Sequence, residues 1–426
     1  MKTKSAFIVA SIFICLLGSN SLYALETQSR VEVIVDQIAP MVIEWRRDFH
    51  AHPELSNREE RTSRVIAERL QEIGVDEIKT GIAHHGVVAL IKGKRHGPTV
   101  ALRADMDALP VTEETGLPFA SKNNGVMHAC GHDSHTAMLL GTAKVLTEMR
   151  DEIHGNVKLI FQPAEEGPPP GEEGGAKLMV KEGVLKDPDV SAIFGLHVWP
   201  FIETGKIGYR LGGAFAAVDR FKVEIRGKQV HAALPWDGID PVVTSANVIS
   251  GLQTIASRIV DTREPVVVTV GVINGGQRWN IIPDIVILEG TVRTHSPTVR
   301  ERAKEAFEQI VMNTAKAQGA TAEIIYESIA PVVRNDPDLG KHMLPTLYQA
   351  VGKENVVEVK PTMGGEDFAF FCQEVPGFYV LLGVRNESIG AVHVLHSPKF
   401  MLDEAALPLG VRAMSSLAID YLRGTQ

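Results

Sequence analysis

The stretch VMHACGHDSHT, residues 126–136, sets Cys130 among His128, His132 and His135, with Asp133 beside them. Imidazole and thiolate both suit zinc and its neighbours, so this density of soft and borderline ligands points to a transition-metal site. Structural zinc modules mostly space their ligands as C-x2-C or H-x3-H. A Cys-x-His step instead lets two ligands diverge from one tight turn, which suits an open or dinuclear site. The competing reading is a polar loop with incidental histidines.

Two adjacent carboxylates, Glu165 and Glu166, follow the apolar run NVKLIFQPAEEG. In extended backbone neighbouring side chains point apart, so one could bind metal while the other faces water or substrate. A dinuclear hydrolase needs a ligand carboxylate and a general base close together, and this dipeptide would supply both. Alone it would read as a solvated acidic turn. His197 in FGLHVWP and His396 in VHVLHSPKF would each read alone as a satisfied core histidine.

The elements that must position these residues are short apolar runs bounded by Gly or Pro: GVVALIKG, TVALRADMD, NVKLIFQPAEEG, SAIFGLHVWP and FYVLLGV. They alternate with helical stretches such as 136–149, after amphipathic helices expected over 30–48 and 58–73. Such alternation predicts an α/β fold with a mostly parallel sheet and helices on both faces. The runs end in Asp105 and Asp107, in Glu165 and Glu166, in His197, and in His393 and His396. Open α/β sheets place their sites at those strand ends.

Between 215 and 330 the order is β-α-β-β-α-β, with Asp240 as N-cap and Pro241 in the first turn of one helix. That order predicts an inserted ferredoxin-like α+β domain. The organisation expected is a signal peptide over 1–24, a catalytic domain over 25–214 and 331–426, and the insertion over 215–330. A chain of 426 residues exceeds what one core usually holds, which fits two domains.

At 44% hydrophobic and 22% charged, the composition is that of an ordinary globular protein. A formal net charge of −9 without a basic stripe excludes a nucleic-acid partner and favours a small-molecule substrate. Lys2 and Lys4, an apolar run from Ala6 to Gly18 and a cleavage site after Ala24 read as a secretory signal, hence a periplasmic or secreted protein without a membrane span. Cleavage would leave Cys130 and Cys372, either as one disulfide or as a metal thiolate and an apolar filler.

The ordered motifs LRADMDALP, HACGHDSHTAM, QPAEEGPPPGEEGGAK, GLHVWP, HAALP, IIPD, EGTVRT, GGEDFAFF and LHSPKF are similar to those of metallopeptidase family 20, subfamily D. Its members include hippurate hydrolases, N-acyl-amino-acid amidohydrolases and indole-acetyl-amino-acid hydrolases. The resemblance covers nearly all of the chain from Val31. It implies that Cys130, His132, Glu166, His197 and His396 hold two divalent metal ions, of zinc, manganese, cobalt or nickel. It also implies that Glu165 is the general base, that Asp107 orients a ligand, and that His231 polarises the substrate carbonyl, in cis or from a partner subunit. The inserted domain would serve as lid, as homodimer contact, or as both.

Arg293 and Asn280 are candidates for a substrate carboxylate, with Arg293 favoured because a planar cation matches that group. A strand-edge surface charge is the alternative for Arg293. One departure from the family concerns GKQVHAALPW, where Gln229, Val230 and Trp236 replace smaller or histidine residues and predict a bulkier, more apolar pocket mouth. Phe201, Phe215 and Trp236 would either line an acyl pocket or belong to the core. The activity expected is metal-dependent cleavage of N-acyl amino acids or related amides. The alternatives are a dipeptidase or carboxypeptidase on the same scaffold, and a catalytically silent metal-binding scaffold.

Overall fold

The computed structural model describes residues 4–424, with side chains from residue 26 onward. The expected signal peptide therefore falls outside the residues whose side chains are described. No helix among the described residues is long and apolar enough to cross a membrane.

The chain begins with α1 (Lys4–Ala51), where Val31, Val35, Ile38, Val42, Trp45 and Phe49 recur every three or four residues and are buried. Next come α2 (Glu60–Ile73), β1 (Glu77–Ile82), β2 (Gly86–Lys92), β3 (Arg95–Asp105), α3 (His132–Glu148), β4 (His154–Gln162), α4 (Gly175–Lys181), β5 (Val190–Glu203) and β6 (Ile207–Tyr209). The middle of the chain supplies β7 (Gly212–Phe215), β8 (Ala217–Arg226), β9 (Val230–His231), α5 (Pro241–Leu252), β10 (Val266–Gly275), β11 (Ile281–Ile282) and β12 (Ile285–Thr294). After α6 (Pro297–Ala317), β13 (Thr321–Ala330) and β14 (Val333–Asn335), the chain runs through α7 (Pro337–Val351), β15 (Val356–Glu358), α8 (Ala369–Glu374), β16 (Gly377–Arg385) and α9 (Leu407–Gly424).

These elements form two compact units. The first holds an eight-stranded sheet in the order β1-β2-β4-β3-β5-β16-β6-β15. Its centre, β4-β3-β5-β16, is parallel, while β1-β2, β2-β4 and β16-β6 are antiparallel. β4 and β16 are buried along almost their whole length, as strands covered on both faces are. Helices α1, α3 and α9 pack on one another, and α3 and α9 also pack on β3.

The second unit comprises 210–335 and 360–372. Its sheet, β10-β12-β8-β13, is antiparallel throughout, the ferredoxin-like order for a β-α-β-β-α-β chain. Phe221, Val223 and Ile225 of β8 alternate onto a core shared with Val248 and Leu252 of α5 and with Phe307 and Val311 of α6. Asp240 caps α5 as expected, accepting from the Val242 and Val243 amides.

The expected boundaries at 215 and 330 move outward because β7 pairs with β14. Residues 360–372 join this unit through Thr362 N–H to Ala214 O at 3.0 Å and Ala216 N–H to Gly364 O at 2.9 Å. Backbone pairing over so long a separation leaves no mark on local composition.

Candidate metal centre

β3 and β4 run parallel with Asp105 opposite Gln162, so both end at one edge of the sheet. Asp107 follows the first, and Glu165 and Glu166 follow the second. Helix α3 starts at the same edge and begins at His132, earlier than the expected 136. Its polar first turn is buried, with His132 toward the site and Asp133 against Arg46 and His50, so apolar periodicity alone places the start too late. His197 is inside β5, not at its end as expected, since β5 runs on to Glu203 alongside β16. The neighbouring strand stops first: the last β3 pair is Arg103 with Gly195, and His197 lies past it.

Gly131 makes the Cys-x-His step workable. Its φ is +90°, and a Cβ there would lie 2.4 Å from Val198 Cγ2, so only glycine fits. From this turn Cys130 Sγ reaches 3.4 Å from His197 Nε2. His132 Nε2 lies 3.8 Å from Glu165 Oε2 and 4.0 Å from Glu166 Oε1. His396 completes the group, with Nε2 3.2 Å from Glu166 Oε1. Its backbone has φ +65°, uncommon outside glycine, and its N–H is held by Ala129 O at 2.8 Å. Glu165 and Glu166 occupy a turn, not the expected extended backbone, so both carboxylates approach His132.

Donor atoms of Cys130, His132 and His197, of His132, Glu165 and Glu166, and of Cys130, Glu166 and His396 each lie within 4.8 Å of one another. The three groups share members, so the donors surround more than one point. His132 Nε2 is buried without a hydrogen-bond partner, and Glu166 Oε1 has only the His396 imidazole at 3.2 Å. An orphaned buried donor facing a thiol and a second imidazole is what a cation site requires, and this set fits a pair of divalent metals.

Hydrogen bonds fix the imidazole tautomers. His132 Nδ1 meets Asp107 O at 2.9 Å and Asp107 Oδ1 at 3.1 Å, so Nδ1 carries the proton and Nε2 faces the cluster. Asp107 is itself held by Ser56 Oγ at 2.7 Å and by the Glu166 amide at 3.0 Å. It therefore orients His132 and Glu166 together. His197 Nδ1 donates to Val198 O at 2.7 Å, leaving Nε2 toward Cys130.

Burial opposes charge on His132, but Asp105, Asp107 and Glu166 outweigh it and push the imidazolium up to about 10. Burial and the charges of Glu166, Glu165 and Asp105 push the Cys130 thiol well above its usual range. Burial, with His135 and His132 nearby, holds His197 well below its usual value and so neutral. The cluster carries an excess of negative charge that a cation would neutralise.

In the second unit, β9 pairs with β11, His231 opposite Ile281, and Ala232 N–H donates to Asn280 O at 3.1 Å. The ladder thus brings His231 and Asn280 together. Ala233 N–H donates to His231 Nδ1 at 3.0 Å, which leaves Nε2–H as an exposed donor. Arg293, on β12, is half-buried and has no hydrogen-bond or ion-pair partner among the described residues. Burial lowers its pKa. Asn280 Oδ1 is buried and unpartnered.

Several open alternatives resolve. Neither Cys130 nor Cys372 is in a disulfide, and Cys372 is only partly buried. Phe215 is core at 4% exposure, whereas Phe201 and Trp236 are exposed. The sequence reading also missed Glu59, a fully buried carboxyl whose Oε1 accepts the Ala164 amide at 2.9 Å. That bond holds Ala164 at φ +52°, just ahead of Glu165. Burial and the charge of Asp107 push Glu59 up to about 8. An acid beside a helix start ordinarily reads as a partner of the helix dipole, so no local signal sets Glu59 apart.

The model for peptidase family M20/M25/M40 matches residues 101–420. The chain belongs to that family. N-acetyl-L-cysteine deacetylase of Bacillus subtilis is 41% identical over 388 residues, 91% of this chain and 89% of the relative. Thermostable carboxypeptidase 1 of Saccharolobus solfataricus is 41% identical over 389 residues, 91% of this chain and 97% of the relative. The solved structure of Bacillus subtilis YXEP protein, described as a dinuclear metal-binding peptidase of the M20 family, aligns with a TM-score of 0.79 at 38% identity. That alignment covers 92% of this chain and all of the other. As an M20 family member, the chain is a metal-dependent hydrolase of amide bonds.

Proposed function

We propose that this M20 hydrolase cleaves N-acyl amino acids, releasing a carboxylate and a free amino acid. The observation that carries the reading is the buried, unpartnered Nε2 of His132 with Glu165 and Glu166 at 3.8 and 4.0 Å. The similar deacetylase and carboxypeptidase, as named, both release an amino acid with a free α-carboxylate. Half-buried, unpartnered Arg293 is the group suited to that carboxylate, with Asn280 as a second donor.

Cys130, His132, Glu166, His197 and His396 would hold two divalent cations, of zinc, manganese, cobalt or nickel, which would supply Lewis acidity toward the carbonyl and make water acidic enough to lose a proton near neutrality. Glu165 takes that proton as the C–O bond forms and passes it to the leaving nitrogen as the C–N bond breaks. His231 donates Nε2–H to the developing oxyanion, from the same chain or a second copy. Asp107 keeps the His132 tautomer fixed throughout.

A homodimer through the second unit is part of the proposal. β10 is an edge strand with exposed Val267, Val272 and Ile273, a surface that ordinarily needs a cover. Light scattering of the wild type against Ile273→Lys tests it, with a monomer expected only for the variant. Export of the protein rests on the leader-like 1–24 alone.

The activity test is release of free amino acid from N-acetyl, N-benzoyl and indole-acetyl amino acids and from dipeptides, with each metal in turn. Release from the acylated amino acids supports the proposal. Release from dipeptides alone would turn it into the peptidase alternative.

A further inference from the structure

Asp105, His132 and His135 also bring donor atoms within 4.8 Å of one another, so His135 looks at first like another metal ligand. Its hydrogen bonds say otherwise. Val198 N–H, which can only donate, points to His135 Nε2 at 2.9 Å, so that nitrogen is an acceptor and its lone pair is used. His135 Nδ1 must then carry the proton, and it faces Asp105 Oδ1 at 2.5 Å. The other oxygen, Asp105 Oδ2, accepts from Arg103 Nη1 at 2.7 Å. Arg103 is locked in turn by Gln162 Oε1 at 2.8 Å and Tyr379 OH at 3.2 Å. Arg103, Asp105 and His135 are all buried.

The far end of this chain is His197. Val198 N–H goes to His135, and Val198 C=O receives the proton of His197 Nδ1 at 2.7 Å. In an uninterrupted sheet a neighbouring strand would take both groups, but the β3 register with β5 is last seen at Gly195. Two imidazoles therefore do the work of the missing strand. The His135 and His197 rings lie 4.6 Å apart at 69°, edge to face, which leaves His197 little freedom to turn.

We propose that His135 is a positioning residue for the metal centre: held by Asp105 and Arg103, it pins Val198 and so presents His197 Nε2 to the ion. The inference rests on His197 being a ligand. Groups of this kind behind a ligating histidine typically change metal affinity 10–100-fold when removed.

The test is a chelator-competition titration of the full chain with zinc(II) and cobalt(II), read as affinity and as the cobalt d–d spectrum. His135→Phe is expected to weaken one of the two ions about 10–100-fold and to shift the cobalt bands. His135→Gln, whose amide can both accept from Val198 and donate to Asp105, is expected to recover most of the loss. Wild-type affinity in His135→Phe, or no recovery in His135→Gln, overturns the proposal. His197→Ala is the control: if it binds both ions normally, the ligand reading is what fails. Should His135→Phe not fold, 15N spectra of the histidines in the unsubstituted protein decide. Zinc should move His197 Nε2 and leave His135 an Nδ1–H tautomer, and a zinc-dependent shift at His135 Nε2 contradicts the proposal.

Discussion

His132 Nε2 lies 3.8 Å from Glu165 Oε2, buried and without a hydrogen bond, while its Nδ1 is held by Asp107. In the metal-free chain this imidazole is pushed up to about 10, and the Cys130 thiol is also raised. Both are protonated at pH 7 and must lose those protons to bind a cation. Metal uptake should release at least two protons, with a further contribution from His396, which Glu166 also raises, and affinity should fall at least about 100-fold for each pH unit of acidification. Calorimetry in buffers of different ionisation enthalpy counts them. Uptake without proton release would show that the free site is already deprotonated.

Asp133 stands next to His132, a proposed ligand, but faces away from it. Its Oδ2 is 2.7 Å from Arg46 Nε and 2.8 Å from His50 Nδ1, with all three side chains nearly inaccessible. Asp133→Ala should cost about 3–5 kcal/mol, because it leaves the buried Arg46 Nε and His50 Nδ1 without their shared acceptor, Arg46 keeping only Glu404, at 3.2 Å, as a carboxylate partner. Arg46 and His50, against the cost of burial, hold the Asp133 carboxyl far below its usual range. Its contribution is therefore full above the unfolded carboxylate value of about 3.9 and lost as pH falls toward the folded one. Urea denaturation with chelator present, at neutral and acid pH, measures both effects. Equal stability of variant and wild type at pH 7 would refute the assignment.

His231 Nε2–H is a donor because Nδ1 accepts from Ala233. His231→Ala should lower kcat about 10²–10³-fold, the range for losing one oxyanion donor. Metal content should not change. Steady-state kinetics beside metal analysis checks this, and a variant that loses metal would place His231 among the ligands.

Arg293→Ala should raise KM about 10–150-fold for N-acyl amino acids, the equivalent of about 1.5–3 kcal/mol for a charge-assisted hydrogen bond. The corresponding N-acyl amino-acid amides, which lack the carboxylate, should be unaffected. Equal losses on both series would mean that Arg293 holds the strand and not the substrate.

Strands β2, β3, β4, β5 and β16 of the central sheet were legible because each is a compact apolar run with Gly or Pro at its ends, whereas the exposed β1 and the three-residue β6 and β15 carry no such run. Asp240-Pro241 announced α5 by capping chemistry alone. Glu166 and His396 could be anticipated because they follow those strands, and Cys130 and His132 because imidazole and thiolate crowd the stretch 126–136. His197 could not be placed correctly: local sequence shows β5 but not that β3 stops before it does. The 360–372 return, the Glu59–Ala164 bond and the Asp105–His135 and His135–Val198 links depend on contacts across long separations. Locally, 360–372 reads as a surface loop and Glu59 as a helix-start acid, and although Asp105 and His135 stand out by residue type, their pairing with each other does not.

The measurement that bears most directly on the account is turnover and metal stoichiometry of Glu165→Gln beside the wild type, on whichever N-acyl amino acid the panel selects. Glutamine keeps the shape and removes the base, so both proteins should bind two metal ions per chain with similar affinity. The variant's kcat should fall about 10²–10⁴-fold, the usual weight of a general base. Retained turnover in Glu165→Gln, or loss of an ion along with the activity, would contradict the assignment of Glu165 as the base and of Glu166 as the ligand.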